Sequence, residues 1–190
     1  MILDQTTDYF FASSDVRLAL REATKLINNE EYAKAQVTLE AYLSKTLGSP
    51  TTTGLHDMAV LYVYSAIAAD AGDESDKALE ILSERIRTIN ARGPNERFYQ
   101  SRLVTVQLWL LEKAEKYEDA LSIAKLAVEK ITPPPRESDD RTNMYLEDLY
   151  FQYSSLLLKH GEDELALATR QGIADRCAYA MTNYGPMAFM

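Results

Sequence analysis

The sequence predicts an all-α fold of eight helices, organised as about four helix pairs in tandem. An alanine recurs at nearly equal intervals, apolar residues near it follow the helical period, and a turn-forming segment precedes each one. Glycine and proline are scarce, with 7 and 6 residues in 190, whereas an all-β protein needs more of both for its many turns. Together these observations indicate a repeat protein made of helices.

The recurring alanines are separated by 43, 42 and 46 residues, and near-equal intervals of this length indicate a structural repeat. We call them the marker alanines, and they are Ala35, Ala78, Ala120 and Ala166. The first three each open a helical pattern. In the first pattern, Ala35, Leu39 and Leu43 lie one helical turn apart.

Another helix is predicted before each marker alanine. Twelve residues before the marker, three of the four repeats have a small residue. A small side chain there lets two antiparallel helices approach closely, which a short turn between them requires. These residues are Ala23, Ala66, Leu108 and Ser154.

The predicted helices are 14–28 with 31–47, 55–71 with 74–91, 95–114 with 117–131, and 139–160 with 162–183. Linkers rich in glycine and proline separate the pairs at 48–54, 92–95 and 132–136. Three consecutive prolines in the last linker exclude a helix interior and favour a stiff extended spacer. We expect one helical-repeat domain over residues 1–190, with pairs at 14–47, 55–91, 95–131 and 139–183 and an apolar tail at 184–190.

The repeated pattern resembles the tetratricopeptide repeat family over about residues 15 to 180. The likeness consists of a small residue in the first helix, a turn residue, an aromatic residue before the second helix, and the marker alanine. These features stand at Ala23 and Ala66, at Asn29, Gly72 and Gly161, at Tyr32 and Tyr117, and at the four marker alanines. The usual repeat has about 34 residues. The longer interval here is similar to the long-helix variant found in kinesin light chains and some bacterial regulators.

The resemblance implies a right-handed α-solenoid, in which antiparallel pairs stack side by side and the first helices line an inner groove. Two residues depart from the family pattern. Arg85 stands where a small residue is usual, and Leu108 is large for its site. A helical bundle without repeats, gathered around one central axis, is the structural alternative.

The net charge of −9 argues against a nucleic-acid ligand and against binding to an anionic membrane, because both need clustered Lys and Arg. A basic partner would be compatible with this charge, although surface acidity also keeps a protein soluble. No stretch approaches the roughly 18 apolar residues of a membrane helix, and residues 1–4 do not resemble a secretory signal. The single cysteine, Cys177, suits a reducing compartment, so we expect a soluble cytoplasmic protein.

No motif in the sequence indicates catalysis, a metal site or a cofactor. His56 and His160 stand in different helix pairs without ligand spacing, and His160 suits the C-terminal end of a helix. Cys177 lies in an apolar stretch where cysteine acts as a small hydrophobe, with no base nearby to activate it. The acidic residues within 70–76 lack the spacing of a calcium loop. We therefore predict that the protein is not an enzyme and uses no cofactor.

The leading hypothesis is a protein–protein interaction scaffold that binds a peptide or helix of a partner in the inner groove. First-helix positions are expected to line this groove. They are Arg17, Thr24, Val60, Asp70, Arg102, Thr105, Trp109, Lys113, Phe151 and Ser155. Arg102, Thr105 and Trp109 share one helix face. Trp and Arg are common among binding hot spots, but Trp109 could equally belong to the core.

Two other functions remain open. A ligand-responsive regulator would bind a small molecule or signalling peptide in the same groove and change its curvature. A self-associating component would use the apolar tail, in which Met187, Phe189 and Met190 follow a Gly-Pro pair. The tail could instead fold back and cover the last helix pair, since terminal repeats need such cover.

Overall fold

The computed structural model describes residues 12–46, 52–90, 97–131 and 140–184 of the chain. Within these ranges the chain forms eight α-helices and contains no strand, which confirms the predicted all-α fold. The helices are α1 Ser14–Asn28, α2 Tyr32–Thr46, α3 Thr52–Ala71, α4 Ser75–Asn90, α5 Arg97–Lys113, α6 Tyr117–Lys130, α7 Asp140–Lys159 and α8 Asp163–Tyr184. We refer to α1 with α2 as pair 1, and to the following helices as pairs 2, 3 and 4 in the same way.

Predicted and observed helix ends agree closely, and the largest difference is at the start of α3. Thr52, Thr53 and Gly54 were expected in the linker because glycine is unfavourable in a helix. They form the first turn of α3 instead. Gly54 is buried, which indicates that tertiary packing outweighs its low helix propensity.

The same turn joins the two helices of every pair. The residue five positions before each marker alanine has a left-handed backbone conformation, and these residues are Glu30 (φ 63°), Asp73 (φ 62°), Glu115 (φ 59°) and Gly161 (φ 76°). In pair 1 the Glu31 N–H then donates to the Leu26 carbonyl over 2.9 Å, and the corresponding bonds in the other pairs measure 2.9, 2.8 and 2.9 Å. Such a bond satisfies a carbonyl group at the end of the first helix. The four sequence repeats therefore adopt one local structure four times.

Two repeat positions recognised in the sequence are buried in every pair. The four marker alanines are completely buried, and so are the residues twelve positions earlier, Ala23, Ala66, Leu108 and Ser154. The amide of each marker alanine donates to the carbonyl four residues before it, so the marker lies in the first turn of the second helix. Its small side chain lets this turn pack closely against its neighbours.

Each helix packs against the next helix in the sequence, from α1 to α8. The first helix of each pair also packs against the first helix of the following pair, so that α1 contacts α3, α3 contacts α5, and α5 contacts α7. Helix α3 thus packs against four other helices, α1, α2, α4 and α5. Its continuous apolar run at residues 58–64 is accordingly almost entirely buried.

Buried apolar side chains form two clusters that meet near the middle of the chain. One cluster joins pairs 1 and 2 with part of α5, and the other joins α5 with α6, α7 and α8. Leu79 and Ile86, both on α4, pack against both clusters. These two partly buried side chains therefore connect the two clusters.

Arg85, which stands where tetratricopeptide repeats usually have a small residue, is buried. Its Nη2 atom lies 3.8 Å from Met58 Sδ, and its guanidinium lies 5.2 Å from the centroid of the Tyr62 ring. A cation over an aromatic face is a favourable contact. Sulfur and aromatic contacts with α3 therefore accommodate the larger side chain.

Candidate interaction surface

The ten predicted groove positions differ in burial. Val60 and Asp70 on α3 are buried, and Arg102 on α5 is 3% exposed. The other seven are half-buried or exposed, and they are Arg17, Thr24, Thr105, Trp109, Lys113, Phe151 and Ser155. The predicted exposure of Val60, Asp70 and Arg102 requires a correction, because α3 and α5 each pack between the first helices of the neighbouring pairs and leave almost none of these side chains for a partner.

The Trp109 side chain is half-buried and contacts both the core and solvent. It packs against the core cluster of pairs 1 and 2, and part of it remains in contact with solvent. Thr105, one turn earlier on α5, is also half-buried, and its Oγ1 donates to the Ser101 carbonyl over 2.9 Å. Lys113, one turn later, places Nζ 5.8 Å from the Trp109 ring centroid. We call Thr105, Trp109 and Lys113 together the α5 stripe.

Pair 2 holds the positive end of the α5 stripe in place. Lys113 Nζ donates to Asp70 Oδ2 over 2.8 Å, and Ser75 Oγ donates to Asp70 Oδ1 over the same distance. The Asp70 side chain is 6% exposed, whereas that of Lys113 is 52% exposed. The carboxylate is therefore enclosed between the pairs, while the ammonium group remains half exposed beside Trp109.

An equivalent ion pair joins pairs 3 and 4. Glu112 binds Lys159, and Glu112 stands eight residues before its marker alanine, as Asp70 does. Lys113 and Lys159 both stand seven residues before theirs. The pairing was detectable in the sequence, as an acidic residue at one repeat position and a lysine at the adjoining position of the next repeat. Comparison of positions between repeats, rather than within one, would have found it.

The turns of pairs 3 and 4 are also joined to each other. Lys159 Nζ lies 5.1 Å from the Tyr117 ring centroid, and His160 Nδ1 lies 3.5 Å from Glu118 Oε1. His160 stands directly after α7, and its N–H donates to the Leu156 carbonyl, as expected at a helix C-terminus. These contacts join the turn of pair 4 to the turn of pair 3.

An open hollow of about 410 Å³ lies beside the turns of pairs 1 and 2. Its walls are formed by Glu30, Glu31, Tyr32, Ala33, Lys34, Gln36, Gly72 and Glu74. A hydrogen bond from the Lys34 ammonium lowers the pKa of Glu31, and hydrogen bonds from Lys77 and Gln36 lower the pKa of Glu74. Both carboxylates are thus already paired. We interpret the hollow as the space between the turns of two successive pairs, and not as a ligand site.

Phe151 and Ser155 lie on α7, at the repeat positions that Thr105 and Trp109 occupy on α5. Phe151 is 60% exposed, and Arg170 of α8 lies over its ring at 5.4 Å. Arg170 Nε also donates to Ser154 Oγ over 3.1 Å, and Ser155 Oγ donates to the Phe151 carbonyl over 3.1 Å. Phe151 therefore lies on a side of pair 4 to which both α7 and α8 contribute.

His56 is fully buried, and its ring meets Tyr99 edge-on with centroids 6.2 Å apart. Cys177 lies on α8, but its side chain and the tail residues 185–190 are outside the described part of the structure. Among the described side chains, no three His, Cys, Asp or Glu residues are grouped as metal ligands. The described helices include none with the length and apolarity to cross a bilayer.

The chain was compared with protein-family models, with curated proteins and with solved structures, and none of the three comparisons found a match. The likeness to tetratricopeptide repeats stays a prediction from the sequence pattern. Function is accordingly inferred from the geometry of the α5 stripe and of its neighbours.

Proposed function

We propose that this protein is a non-enzymatic scaffold that binds a peptide or helix of a partner protein along the inner side of its first helices. The α5 stripe is the centre of the contact. No cofactor takes part, because recognition of this kind needs only apolar surface and charge that are held in position.

In the proposed architecture the four pairs are antiparallel hairpins that stack side by side as a right-handed α-solenoid similar to tetratricopeptide repeats. The identical turn in every pair supports this arrangement, as do the two ion pairs at equivalent repeat positions. The main helix contacts lie within a pair or between successive pairs, whereas a bundle around one axis would bring distant pairs together. A stack of this kind presents an extended inner surface.

One observation carries the binding proposal: the half-exposed Trp109 ring lies next to the Lys113 ammonium. Packing against the core holds the ring, and the bond to Asp70 holds the ammonium group, so binding a partner costs little side-chain entropy at this site. Trp is also among the most frequent hot-spot residues. An apolar side chain with an acidic residue nearby in the partner would match this pair.

Trp109 is the only tryptophan in the chain, so its fluorescence reports on the α5 stripe directly. The test uses peptides selected for binding from a random phage-displayed library. We expect that bound peptides shift the Trp109 emission. We also expect that Trp109→Phe lowers their affinity, measured by calorimetry, by roughly tenfold, because it removes part of a hot-spot ring.

Leu126→Ala provides the matched control. Leu126 lies on α6 and is 50% exposed, so this substitution removes exposed apolar surface outside the stripe and should leave peptide affinity unchanged. Helicity and urea midpoints of both variants show whether the fold is intact. Peptides that bind Trp109→Phe with full affinity and leave the wild-type emission unchanged would place the binding site elsewhere.

A further inference from the structure

Helix α7 carries the same three repeat positions as the α5 stripe, at 15, 11 and 7 residues before its marker alanine. We call the residues at these positions the α7 stripe, and they are Phe151, Ser155 and Lys159. Lys159 binds Glu112 of the preceding pair, just as Lys113 binds Asp70. Because α7 is thus set against pair 3 as α5 is set against pair 2, and because α5 packs against α7, the two stripes face the same side.

Each stripe contains one aromatic ring and one hydroxyl group, at exchanged positions. Pair 3 has Thr105 and then Trp109, whereas pair 4 has Phe151 and then Ser155. Both hydroxyl groups donate to the carbonyl four residues earlier, over 2.9 and 3.1 Å, so their protons are already engaged within the helix. Trp109 is half-buried and Phe151 is 60% exposed. The rings are therefore the parts of the two stripes that offer apolar contact.

The equivalent positions of pairs 1 and 2 differ from both stripes. Fifteen residues before the marker alanine, Leu20 and Val63 are buried. Seven residues before it, pairs 1 and 2 have Asn28 and Ala71 in place of a lysine. An accessible ring together with a lysine thus occurs at these positions in pairs 3 and 4 and not in pairs 1 and 2. This places the contact on α5 and α7.

The ion pairs of the two stripes expose their positive partners. The Lys113 and Lys159 side chains are 52% and 48% exposed, whereas the carboxylates they bind, Asp70 and Glu112, are 6% and 17% exposed. Arg170 adds an exposed guanidinium 5.4 Å from the Phe151 ring. An ammonium group has three donors, so one enclosed carboxylate leaves capacity for a second acceptor on the solvent side. Although the whole chain is acidic, the rings are therefore flanked by cations that an acidic partner would match.

Exposed carboxylates limit this positive region. Glu115 and Glu162 stand in the turns that follow the two lysines, and Asp148 stands one turn before Phe151. A strongly acidic segment that extended past the stripes would meet these like charges. The matching partner is therefore a short segment with a few carboxylates close to its apolar residues.

We infer that the partner segment crosses from α5 to α7 and carries two apolar side chains, one against Trp109 and one against Phe151, with a carboxylate beside each. The inference rests on the proposed function and specifies its partner. A carboxylate beside the first anchor would reach Lys113, and one beside the second would reach Arg170.

Helix geometry sets the spacing of the two anchors. Packed helices lie about 8–10 Å apart, and the two rings are offset by four repeat positions, or about 6 Å along the helix. The anchors of the partner are therefore roughly 11 Å apart. Three residues of an extended segment or seven residues of a helix span about this distance.

The test uses peptides from the same phage-displayed library that shift the Trp109 emission. We expect them to share two apolar residues, three or seven positions apart, each with Asp or Glu within about two positions. Phe151→Ala should lower their affinity by about tenfold or more in calorimetry, because it removes one of the two anchor sites. Leu165→Ala is the matched control, since Leu165 lies on α8 of the same pair, outside the stripes, and is 44% exposed.

Changes in the peptide then assign each contact. Alanine in place of the second apolar anchor should weaken binding to the wild type but have little further effect on Phe151→Ala. Amides in place of the carboxylates should lower the affinity for the wild type by roughly fivefold or more, and added salt should reduce this difference. Circular dichroism and the Trp109 emission of the free variants show whether each variant is folded.

Peptides that shift the Trp109 emission yet bind Phe151→Ala as tightly as Leu165→Ala would overturn the inference and leave the proposed function intact. Unchanged affinity of the amide peptides would also overturn it, and so would selection of peptides rich in Lys and Arg, which would indicate binding to the acidic turns. Peptides that neither shift the emission nor lose affinity for Trp109→Phe would contradict the proposed function, and this inference with it.

Discussion

Asp70 and Lys113, 43 residues apart in the sequence, form an ion pair in which Nζ and Oδ2 are 2.8 Å apart. The other carboxylate oxygen of Asp70 accepts a hydrogen bond from Ser75 Oγ. The carboxylate is enclosed, whereas the ammonium group is half exposed. The two partners therefore differ in how much they depend on each other, because water can solvate the lysine but not the aspartate.

Removal of the lysine should cost more stability than an exposed ion pair contributes. Lys113→Met removes the ammonium group that binds the enclosed Asp70 carboxylate and leaves the hydrogen bond from Ser75 in place. We expect a loss of about 1–3 kcal/mol in the free energy of unfolding. Asp70→Asn in the same background should recover part of the loss, since the buried charge is gone. Urea unfolding of the two single variants and the double variant measures this coupling.

Lys34→Met is the control for this cycle. Lys34 binds Glu31 on the surface of pair 1, where both side chains are in contact with water. An exposed pair of this kind contributes roughly 0–1 kcal/mol. Equal losses for Lys113→Met and Lys34→Met would contradict the role assigned to the enclosed carboxylate.

Two glycines should respond to alanine in opposite directions. Gly161 has φ 76° in the turn of pair 4, and Gly161→Ala forces a side chain into the left-handed region at a cost of about 1–2 kcal/mol. Gly172 lies within α8, and a Cβ added there meets no atom within 4 Å. Gly172→Ala should therefore stabilise the protein by roughly 0.5–1 kcal/mol, because alanine has the higher helix propensity.

Thermal and urea unfolding of the two glycine variants provide the comparison. Glu115→Gly gives a further check, since Glu115 occupies the Gly161 position in pair 3 with φ 59°. This substitution should raise the urea midpoint, because glycine adopts positive φ without strain. A lower midpoint for Glu115→Gly would show that the turns of pairs 3 and 4 are not equivalent in energy.

Stability should decline at high pH through Tyr153. Burial raises the pKa of the Tyr153 hydroxyl above its usual value near 10, and the charges of Glu162 and Glu129 raise the pKa further. The unfolded chain then loses this proton at a lower pH than the folded chain. The contribution to stability is therefore complete below about pH 10 and decreases as the pH rises through the unfolded value towards the folded one.

Urea unfolding of the wild type and of Tyr153→Phe between about pH 8 and pH 11 measures the effect. The variant should lose less stability than the wild type over the upper part of this range. Tyr117→Phe is the control, because the Tyr117 side chain is 39% exposed. Identical pH profiles for the wild type and Tyr153→Phe would rule out the proposed contribution.

The candidate site was only partly predictable from the sequence. Trp109, Thr105 and Lys113 follow from helical spacing, because residues three and four positions apart share a face of one helix. Arg102 has the same spacing but is buried, since α3 and α7 pack on either side of α5. Spacing within one helix identifies a face, but it does not say whether a neighbouring helix covers that face.

The sequence by itself determined the eight helices that the described residues form, their approximate ends, and the repeat marked by Ala35, Ala78, Ala120 and Ala166. These features depend on residues within a few positions of one another, through helical periodicity and turn conformation. The tertiary structure decided that Arg102 is enclosed, that Asp70 holds Lys113, and that Phe151 is exposed. Each of these outcomes depends on which helix packs alongside, and in the Asp70–Lys113 pair the two residues are 43 positions apart in the sequence.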